Sequence, residues 1–335
     1  MKISASIYSS KDRSLEALVT ELEAIGVEYV HVDCNDDLSV EDAIARVRAI
    51  SSLPIDLHII SAEPEKFFAM IARHKVEFVT LQYEQIADRV LDLPDLGCEW
   101  GLAIVTPTPT NVFEKFVAQC AFILFMTTTP GQSGGKFDAA NFKKIRRFRH
   151  DFPGKRIHVD GGVNAEISFV LRNLGVFCSV SGSFLVNAES VPVAYLKLLV
   201  HKDRNHLLVR EVMHGLDELP ILPKANLDAL KVLETIENFA MGYCLLVEAD
   251  GKLAGLVTNA DVRRGFIRQL REQRPLDPNA LVNSQPKFIS ADATIYEMLQ
   301  KVKSFPFLVQ FLPVVTEDHR LVGAVNFNNL ILGEL

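Results

Sequence analysis

The chain alternates short apolar runs with longer segments in which apolar residues recur at every third or fourth position. Short apolar runs bounded by turn residues are typical of buried strands, and the longer pattern is typical of amphipathic helices. The pattern predicts strands at residues 3–8, 29–34, 55–60, 78–83, 100–105, 122–127, 157–159 and 178–180. It predicts helices at residues 14–26, 40–50, 64–74, 88–93, 111–120, 141–152, 165–174 and 191–201.

Eight strands that alternate with helices over about 200 residues predict an α/β fold, a (β/α)8 TIM barrel. The competing arrangement is a doubly wound open sheet. Active sites of such barrels lie at the carboxyl ends of the strands. Ionisable side chains stand at the ends of several separate strands of this chain, and that placement favours the barrel.

The residues after the barrel contain two similar units, the first beginning near Val209 and the second near Leu281. A repeat of roughly 60 residues predicts two copies of one module. We therefore expect two domains, a barrel at residues 1–205 and a smaller α+β tandem module at residues 206–335. A chain of 335 residues with 48% hydrophobic content is long enough for both domains to bury a core.

The net charge indicates which kinds of partner to expect, and the cysteines indicate the cellular compartment. A formal net charge of −7 gives no reason to expect nucleic acid as a partner. The basic run at residues 143–150 carries apolar residues at helical spacing, which indicates a solvated helix face. Five scattered cysteines without C-x-x-C spacing indicate reduced thiols in a cytoplasmic protein. Because no apolar run resembles a membrane span or a signal peptide, we expect no membrane anchor.

Histidine and aspartate side chains occur two residues apart near the ends of three predicted strands. Side chains two apart on a strand point the same way, so each pair is delivered to one space. One such pair alone is more often incidental, but three pairs at strand ends favour a shared site. An imidazole pair with two carboxylates suits a divalent cation such as zinc. The pairs are His31 with Asp33, Asp56 with His58, and His158 with Asp160.

Two glycine-containing stretches, at residues 129–136 and 181–183, follow the sixth and eighth predicted strands. The first is not a nucleotide P-loop, because its Gly-Lys pair is offset by one residue and the hydroxyl after it is missing. Bare backbone N–H groups can surround an anion, and the loops after strands seven and eight of a barrel commonly hold phosphate. Together with Gly161 and Gly162 they predict a sugar phosphate as the ligand.

A series of motifs follows the predicted strands in order: Ser6, residues 31–33, residues 56–58, Met126, residues 130–134, residues 159–162 and residues 182–183. In this order they resemble the ribulose-phosphate 3-epimerase family over residues 1 to about 200. The resemblance implies a metal-dependent isomerase of carbohydrate metabolism that inverts C3 of a phosphorylated ketose through an enediolate. The implied reaction converts D-ribulose 5-phosphate to its C3 epimer, D-xylulose 5-phosphate, a step of pentose phosphate metabolism. A related sugar phosphate is the alternative substrate.

The resemblance also implies roles for individual residues. His31, Asp33, His58 and Asp160 would hold the metal, and the two aspartates would move the proton at C3, one on each face. Zinc is the metal that we expect, with Fe²⁺, Mn²⁺ and Co²⁺ as alternatives. The substrate-binding residues that it implies are Ser6, Met126, Gly131, Gly134, Gly161, Gly162, Gly182 and Ser183.

The chain departs from this family around the predicted site. The loop after Asp33 is shorter, and Gln82 stands where the family has a histidine. Asn35 and Ile60 stand where the family has methionines. These departures leave the metal ligands unchanged and alter the surroundings of the substrate. We therefore expect epimerisation of a phosphorylated ketose and leave the identity of the sugar open.

The two units after the barrel resemble a tandem pair of CBS domains, a Bateman module. The first copy carries a Gly-x-x-Thr-x-x-Asp pattern with Thr258 and Asp261, and the second has Asn326 and Asn329 in those positions. The resemblance implies an adenine or cytidine nucleotide at the first copy, held by Thr258, Asp261 and Arg263. It also implies a homo-oligomer, a dimer or higher. A purely structural dimerisation module without a ligand is the alternative.

Two classes of function remain open at this point. The first is a metal-dependent epimerase whose CBS pair regulates or assembles it. The second is a non-catalytic regulatory protein that binds a sugar phosphate and a nucleotide without turnover. Entry of solvent deuterium at C3 of a ketose phosphate separates the two classes.

Overall fold

The computed structural model describes residues 1–10, 12–87, 89, 91–129, 134–199, 206–225, 227–273, 275–306 and 309–327. The chain separates into two compact units, and the change from one to the other falls within residues 200–205, outside the described residues. Gly131 and Asn329, which the sequence assigned to the substrate site and to the second CBS motif, also lie outside them. The domain boundary after residue 205 therefore stays a prediction.

Within the described residues, eight parallel strands close the first unit into a barrel. Each strand pairs with the next one along the chain, and the last strand pairs with the first. The predicted TIM barrel is confirmed. The strands are β1 (Lys2–Ser6), β2 (Tyr29–Cys34), β3 (Ile55–Ile59), β4 (Phe78–Gln82), β5 (Glu99–Val105), β6 (Phe122–Met126), β7 (Arg156–Asp160) and β8 (Cys178–Ser181).

Two helices of this unit, those that begin after Ser14 and after Asn164, have first turns capped by a polar side chain. Ser14 Oγ accepts a hydrogen bond from the Ala17 N–H at 3.2 Å, and Asn164 Oδ1 accepts one from the Ile167 N–H at 3.0 Å. In the described part of the chain, no helix has both the length and the apolar character needed to cross a membrane. The helices are α1 (Leu15–Ala24), α2 (Val40–Ile50), α3 (Phe68–His74), α4 (Tyr83–Ile86), α5 (Ala140–Asp151), α6 (Ala165–Asn173), α7 (Ser183–Val186) and α8 (Val191–Leu199).

Several segments differ from the prediction. Thr110–Phe116 forms a 3-10 helix rather than an α-helix, because its buried residues recur at every third position, which is the period of a 3-10 helix. The helix predicted at residues 88–93 lies earlier, as α4 directly after β4, where Ile86 is buried. Residues 88 and 90 are outside the described part. The strand predicted at residues 3–8 ends at Ser6, because Ile7–Ser9 forms a 3-10 helix. The helix predicted at residues 64–74 begins as the 3-10 helix Pro64–Phe67 and continues as α3.

The amino-terminal end of the barrel is packed with large side chains from alternate strands. Tyr29, Phe78, Phe122 and Cys178 form one buried cluster from β2, β4, β6 and β8. Gly101 of β5 lacks a side chain for a steric reason, because a Cβ there would collide with the Phe122 ring. This filled interior leaves the carboxyl ends of the strands as the place for a site.

The second unit repeats one arrangement of strand, helix and antiparallel strand pair. Its elements are α9 (Val209–Val212), the 3-10 helix Leu216–Glu218, β9 (Ile221–Pro223), α10 (Ala229–Phe239), β10 (Tyr243–Val247), β11 (Leu253–Thr258), α11 (Asn259–Glu272), the 3-10 helix Pro278–Leu281, β12 (Ile289–Ser290), α12 (Ile295–Lys303), β13 (Phe311–Val315) and β14 (Leu321–Asn326). β10 lies between β9 and β11 as β13 lies between β12 and β14, with the same strand directions. The register also repeats, since Tyr243 pairs with Thr258 and Phe311 pairs with Asn326. The predicted tandem α+β module is confirmed.

Candidate metal centre and substrate cavity

Two imidazoles and two carboxylates meet at the carboxyl end of the barrel. His31 and Asp33 lie two residues apart on β2, so their side chains point the same way. His58 of β3 is the register partner of Asp33, and Asp160 is the last residue of β7. One ligand atom from each of the four residues lies within 4.8 Å of the other three, and both imidazoles are fully buried. The fold thus brings together all four residues that the sequence assigned to a metal.

The separations between these atoms fit a shared cation better than they fit hydrogen bonds. His31 Nε2 lies 3.4 Å from Asp33 Oδ1 and 3.7 Å from Asp160 Oδ2, and His58 Nδ1 lies 3.3 Å from Asp33 Oδ1. A hydrogen bond to nitrogen is usually about 2.7–3.2 Å long. Ligand atoms arranged tetrahedrally at about 2.0–2.1 Å from zinc are about 3.3–3.4 Å apart. The donor types therefore fit a divalent cation, and these three separations are close to the spacing of zinc ligands.

Each imidazole is oriented by an acceptor on the side away from the cluster. His31 Nδ1 lies 2.9 Å from Asp56 Oδ2, which also accepts a hydrogen bond from Ser4 Oγ at 2.9 Å. His58 Nε2 lies 2.8 Å from Gln82 Oε1. A ring nitrogen that donates outward leaves the other nitrogen with a lone pair for a metal. The second nitrogen of each ring, Nε2 of His31 and Nδ1 of His58, therefore faces the cluster.

The charges of the cluster separate the proton affinities of its two carboxyl groups. Burial alone would raise the pKa of Asp33, but the adjacent imidazoles of His31 and His58 outweigh it and hold that pKa well below its usual range. Burial raises the pKa of Asp160, and the attraction of His31 does not offset this effect. Burial alone would lower the pKa of His31, but the charges of Asp56 and Asp33 leave that pKa well above its usual value. Two carboxyl groups with opposite shifts suit one base and one acid.

The third imidazole of the strand pattern, His158, does not join the cluster. It lies two residues before Asp160 on β7, where its ring stacks on the Phe122 ring with centroids 4.1 Å apart. Neither ring nitrogen has a hydrogen-bond partner among the described residues, and burial lowers the pKa of His158 to about 4. The imidazole is therefore neutral near pH 7 and belongs to the packing of the barrel interior.

A cavity of about 400 Å³ opens at the two carboxylates of the cluster. This volume lies within the usual range of about 300–1,000 Å³ for small-molecule sites. The cavity is lined by every described residue that the sequence assigned to the substrate, namely Ser6, Met126, Gly134, Gly161, Gly162, Gly182 and Ser183. Other lining residues are Tyr8, Ser9, Thr128, Gly135, Val163, Asn164, Val180 and Phe184.

The loop after β7 brings bare backbone to the wall of this cavity. Gly161 and Gly162 have φ angles of 111° and 64°, and a Cβ on Gly162 would collide with the backbone nitrogen of Phe137. Thr127 holds the start of the loop, because its N–H and its Oγ1 both donate hydrogen bonds to the Asp160 carbonyl oxygen, at 2.7 and 3.0 Å. Exposed backbone without side chains suits an anionic group of a ligand.

Some features of this site were not predicted from the sequence. Asp56 lies opposite His31 in the strand register, a relation that exists only in the folded sheet. The sequence pattern paired Asp56 with His58, because side chains two apart on a strand point the same way, but it did not place Asp56 next to His31. Tyr8 and Thr128 reach the cavity from segments outside the strands and belong to no motif.

A second cavity, of about 710 Å³, lies within the second unit. Thr258, Asp261 and Arg264 line it, whereas Arg263, which the sequence assigned to the nucleotide, is exposed and lies outside the described lining. Thr258 and Asp261 also cap α11, since the Thr258 N–H donates to Asp261 Oδ2 at 2.9 Å and the Asp261 N–H donates to Thr258 Oγ1 at 3.2 Å. Arg264 forms an ion pair with Asp261 at 2.5 Å. The two motif residues therefore have a structural role in addition to lining the cavity.

Comparison with known proteins finds a family for each unit. A model of the ribulose-phosphate 3 epimerase family matches residues 2–186. A model of the CBS domain matches residues 279–332. The two resemblances expected from the sequence motifs are confirmed by these matches.

Individual relatives and a solved structure are similar to parts of this chain. The ribulose-phosphate 3-epimerase of Bacillus subtilis (strain 168) is 27% identical over 197 residues, which are 55% of this chain and 91% of that protein. The ribulose-phosphate 3-epimerase of Methanocaldococcus jannaschii is 26% identical over 211 residues, which are 59% of this chain and 89% of that protein. A crystal structure of CBSX2 in complex with AMP covers 37% of this chain and 92% of its own, with 16% identity and a TM-score of 0.32. Because the epimerase model spans more than half of the sequence, the chain belongs to the ribulose-phosphate 3 epimerase family of carbohydrate epimerases, with a CBS domain in its second unit.

Proposed function

We propose that the chain is a divalent-metal-dependent epimerase that inverts C3 of a phosphorylated ketose. The observation that carries the proposal is the meeting of two histidines and two aspartates at a cavity of about 400 Å³ in a barrel of this family. The relatives are named ribulose-phosphate 3-epimerases, so D-ribulose 5-phosphate and D-xylulose 5-phosphate are the first pair of epimers to test.

Asp33 and Asp160 act as the acid-base pair of the proposed reaction. Both line the cavity, and they reach it from β2 and β7, so a ketose between them presents one face of C3 to each carboxyl group. One carboxylate removes the proton of C3, and the enediolate that forms takes a proton from the other carboxyl group on the opposite face. The configuration at C3 is thereby inverted, and the two groups exchange roles in the reverse direction.

His31, Asp33, His58 and Asp160 are the residues that would hold the cation, and zinc is the ion that their donor set favours. When bound there, a divalent cation supplies positive charge that stabilises the enediolate oxygens. The remaining contribution comes from the chain itself. Asp56 and Gln82 fix the two rings, so the ring nitrogens that would bind a cation already face the cluster.

The glycine-containing loops bind the phosphate in this proposal. Gly134, Gly162 and Gly182 lie around the cavity, on the loops after β6, β7 and β8, and Ser183 adds a hydroxyl. Phosphate held at a fixed distance from the carboxylates positions C3 for proton transfer, so its binding energy is used in the reaction step. Ser6 and Met126 contact the sugar on this assignment.

A substrate panel with metal analysis tests the proposal. Metal-loaded protein is incubated with ketopentose and ketohexose phosphates and with the dephosphorylated sugars, and NMR identifies the products. We expect about one divalent ion per chain, epimerisation of at least one phosphorylated ketose, and a kcat/KM at least about 100-fold lower for the free sugar. Sugar-phosphate binding without any conversion would contradict the proposal and support the non-catalytic alternative.

We further propose that the second unit binds an adenine or cytidine nucleotide in its cavity and regulates the barrel. Thr258, Asp261 and Arg264 supply a hydroxyl, a carboxylate and a guanidinium for ribose and phosphate groups. Calorimetry of the full chain with AMP, ADP, ATP and CMP should give at most one nucleotide per chain. If none of these nucleotides binds, the second unit is a structural module.

Self-association through the second unit is part of the same proposal. Phe266, Ile267 and Leu270 of α11 are 41%, 44% and 79% exposed, which supports burial against another copy. Light scattering of the full chain should give the mass of a dimer or a higher oligomer, and a monomer mass would contradict the assignment. Leu270→Glu should shift the equilibrium toward monomer.

A further inference from the structure

Three side chains form a hydrogen-bonded relay from the candidate metal centre to the loop after β5. His58 Nε2 lies 2.8 Å from Gln82 Oε1, and Gln82 Nε2 donates a hydrogen bond to Glu84 Oε2. Gln82 ends β4 and is only 2% exposed, and Glu84 follows it in α4. We infer that Glu84 is a positioning residue that sets the direction of the Gln82 amide and, through it, the tautomer of His58. The inference rests on the proposed function, because His58 is one of the proposed metal ligands.

The chemistry of the three groups fixes the direction of the relay. A carboxylate only accepts hydrogen bonds, so Glu84 requires the NH₂ group of Gln82 to face it. The carbonyl oxygen of Gln82 then faces His58, and only a protonated Nε2 can donate to that oxygen. A neutral imidazole carries one proton, so His58 Nδ1 keeps its lone pair. That nitrogen is the one 3.3 Å from Asp33 Oδ1 in the cluster.

Glu84 is itself held by the end of β5 and the loop after it. Its Oε1 accepts a hydrogen bond from the Val105 N–H at 3.1 Å and another from Thr108 Oγ1 at 2.5 Å. One carboxylate oxygen therefore serves the loop, and the other serves Gln82. A backbone N–H needs an acceptor, so the atom that faces Val105 has to remain an oxygen.

Glu84→Gln tests the inference with a change of nearly the same shape. The new amide keeps its oxygen toward the Val105 N–H and turns its NH₂ group toward Gln82. Gln82 then turns its own oxygen toward position 84 and its NH₂ group toward His58, which accepts with Nε2 and carries its proton on Nδ1. Because the nitrogen that faces the cluster no longer has a lone pair, we expect zinc affinity to fall about 10- to 100-fold.

The full chain is studied as wild type, Glu84→Gln, Gln82→Leu and Glu114→Gln. Zinc alone is the probe, and competition with a chromophoric chelator gives its affinity. Long-range nitrogen-proton NMR spectra of metal-free protein report which nitrogen of His58 carries the proton. Glu114 is exposed on the 3-10 helix Thr110–Phe116, so Glu114→Gln is the matched control for exchanging a carboxylate for an amide. Gln82→Leu removes the relay at a second point.

We expect Glu114→Gln to bind zinc as tightly as the wild type, and Glu84→Gln and Gln82→Leu to bind it more weakly. In the wild type the proton of His58 should lie on Nε2, and in Glu84→Gln it should lie on Nδ1. Equal zinc affinity in all four proteins would overturn the inference, as would a wild-type His58 protonated on Nδ1. If the wild type binds no zinc, the proposed function fails. The tautomer of His58 in the metal-free protein still decides the role of Glu84 in that case.

Discussion

Replacing Asp33 or Asp160 alone should separate exchange of the C3 proton with solvent from inversion at C3. In Asp160→Asn, only the face of C3 next to Asp33 can lose a proton. The epimer that presents its C3 proton to that face exchanges it with solvent and regains one from the same side, so it does not invert. The other epimer presents its proton to the amide and neither exchanges nor inverts. Asp33→Asn should show the opposite choice of epimer.

The loss of rate in each variant depends on how many carboxyl groups inversion and proton exchange each require. General acid-base catalysis contributes about 10²–10⁴ in rate, and this factor corresponds to about 2.7–5.5 kcal/mol of activation free energy. Inversion uses both carboxyl groups in each turnover, so each variant should lose the full factor. The side chains of Asp33 and Asp160 are only 16% and 17% exposed, so water has little access to replace the missing group. Exchange of the favoured epimer uses the remaining carboxylate and should be much less affected.

The assay follows each C3 epimer of the substrate in D₂O at saturating zinc. Proton NMR measures the loss of the C3 proton signal and the appearance of the other epimer. Asn keeps an oxygen at each position, and saturating zinc separates weaker metal binding from lost acid-base chemistry. Asp42→Asn, which changes an exposed carboxylate of α2, should keep wild-type rates. Inversion at the wild-type rate in either aspartate variant, or exchange of both epimers by one variant, would refute the two-base reasoning.

Three further predictions concern the support of the cluster, the barrel wall and the second unit. Asp56→Asn should weaken zinc binding about 10-fold or more in chelator competition, because it removes the negative charge that faces the His31 imidazole. Ser4→Ala is the control and should have little effect, since it removes only the other hydrogen-bond donor to Asp56 Oδ2. Burial lowers the pKa of Lys144 to about 8, so between pH 8 and pH 10 the unfolded chain binds more protons than the folded chain. In urea unfolding, the stability of the wild type relative to Lys144→Met should therefore rise with pH in this window. A relative stability that falls in this window would contradict the assignment. Asp261→Ala should cost about 0.5–2 kcal/mol in urea unfolding without any nucleotide, because it removes part of the cap of α11, and Arg263→Ala on the same helix should not.

Local patterns along the chain were enough to predict most elements and the three pairs of histidine and aspartate at strand ends, and the family resemblance then selected four of those six residues as metal ligands. The predicted bounds of β2 and α2 are the observed ones, and His31, Asp33, His58 and Asp160 all reach one place. The reason is that side-chain direction in a strand depends only on position along that strand, with a period of two. A closed parallel barrel then brings the carboxyl ends of its strands to one rim.

Relations between strands depend on tertiary structure, and these decide how the site works. Asp56 faces His31 because the register of β2 against β3 makes them partners, and barrel closure sets that register. His158 has the same spacing to Asp160 as His31 has to Asp33, yet it lies deeper and stacks on Phe122. The spacing predicts the direction in which a side chain points, but it does not predict how deep in the barrel that side chain lies. Depth depends on the stagger of the eight strands. The sequence therefore determined which side chains face the interior, and only the closed sheet decided which of them meet.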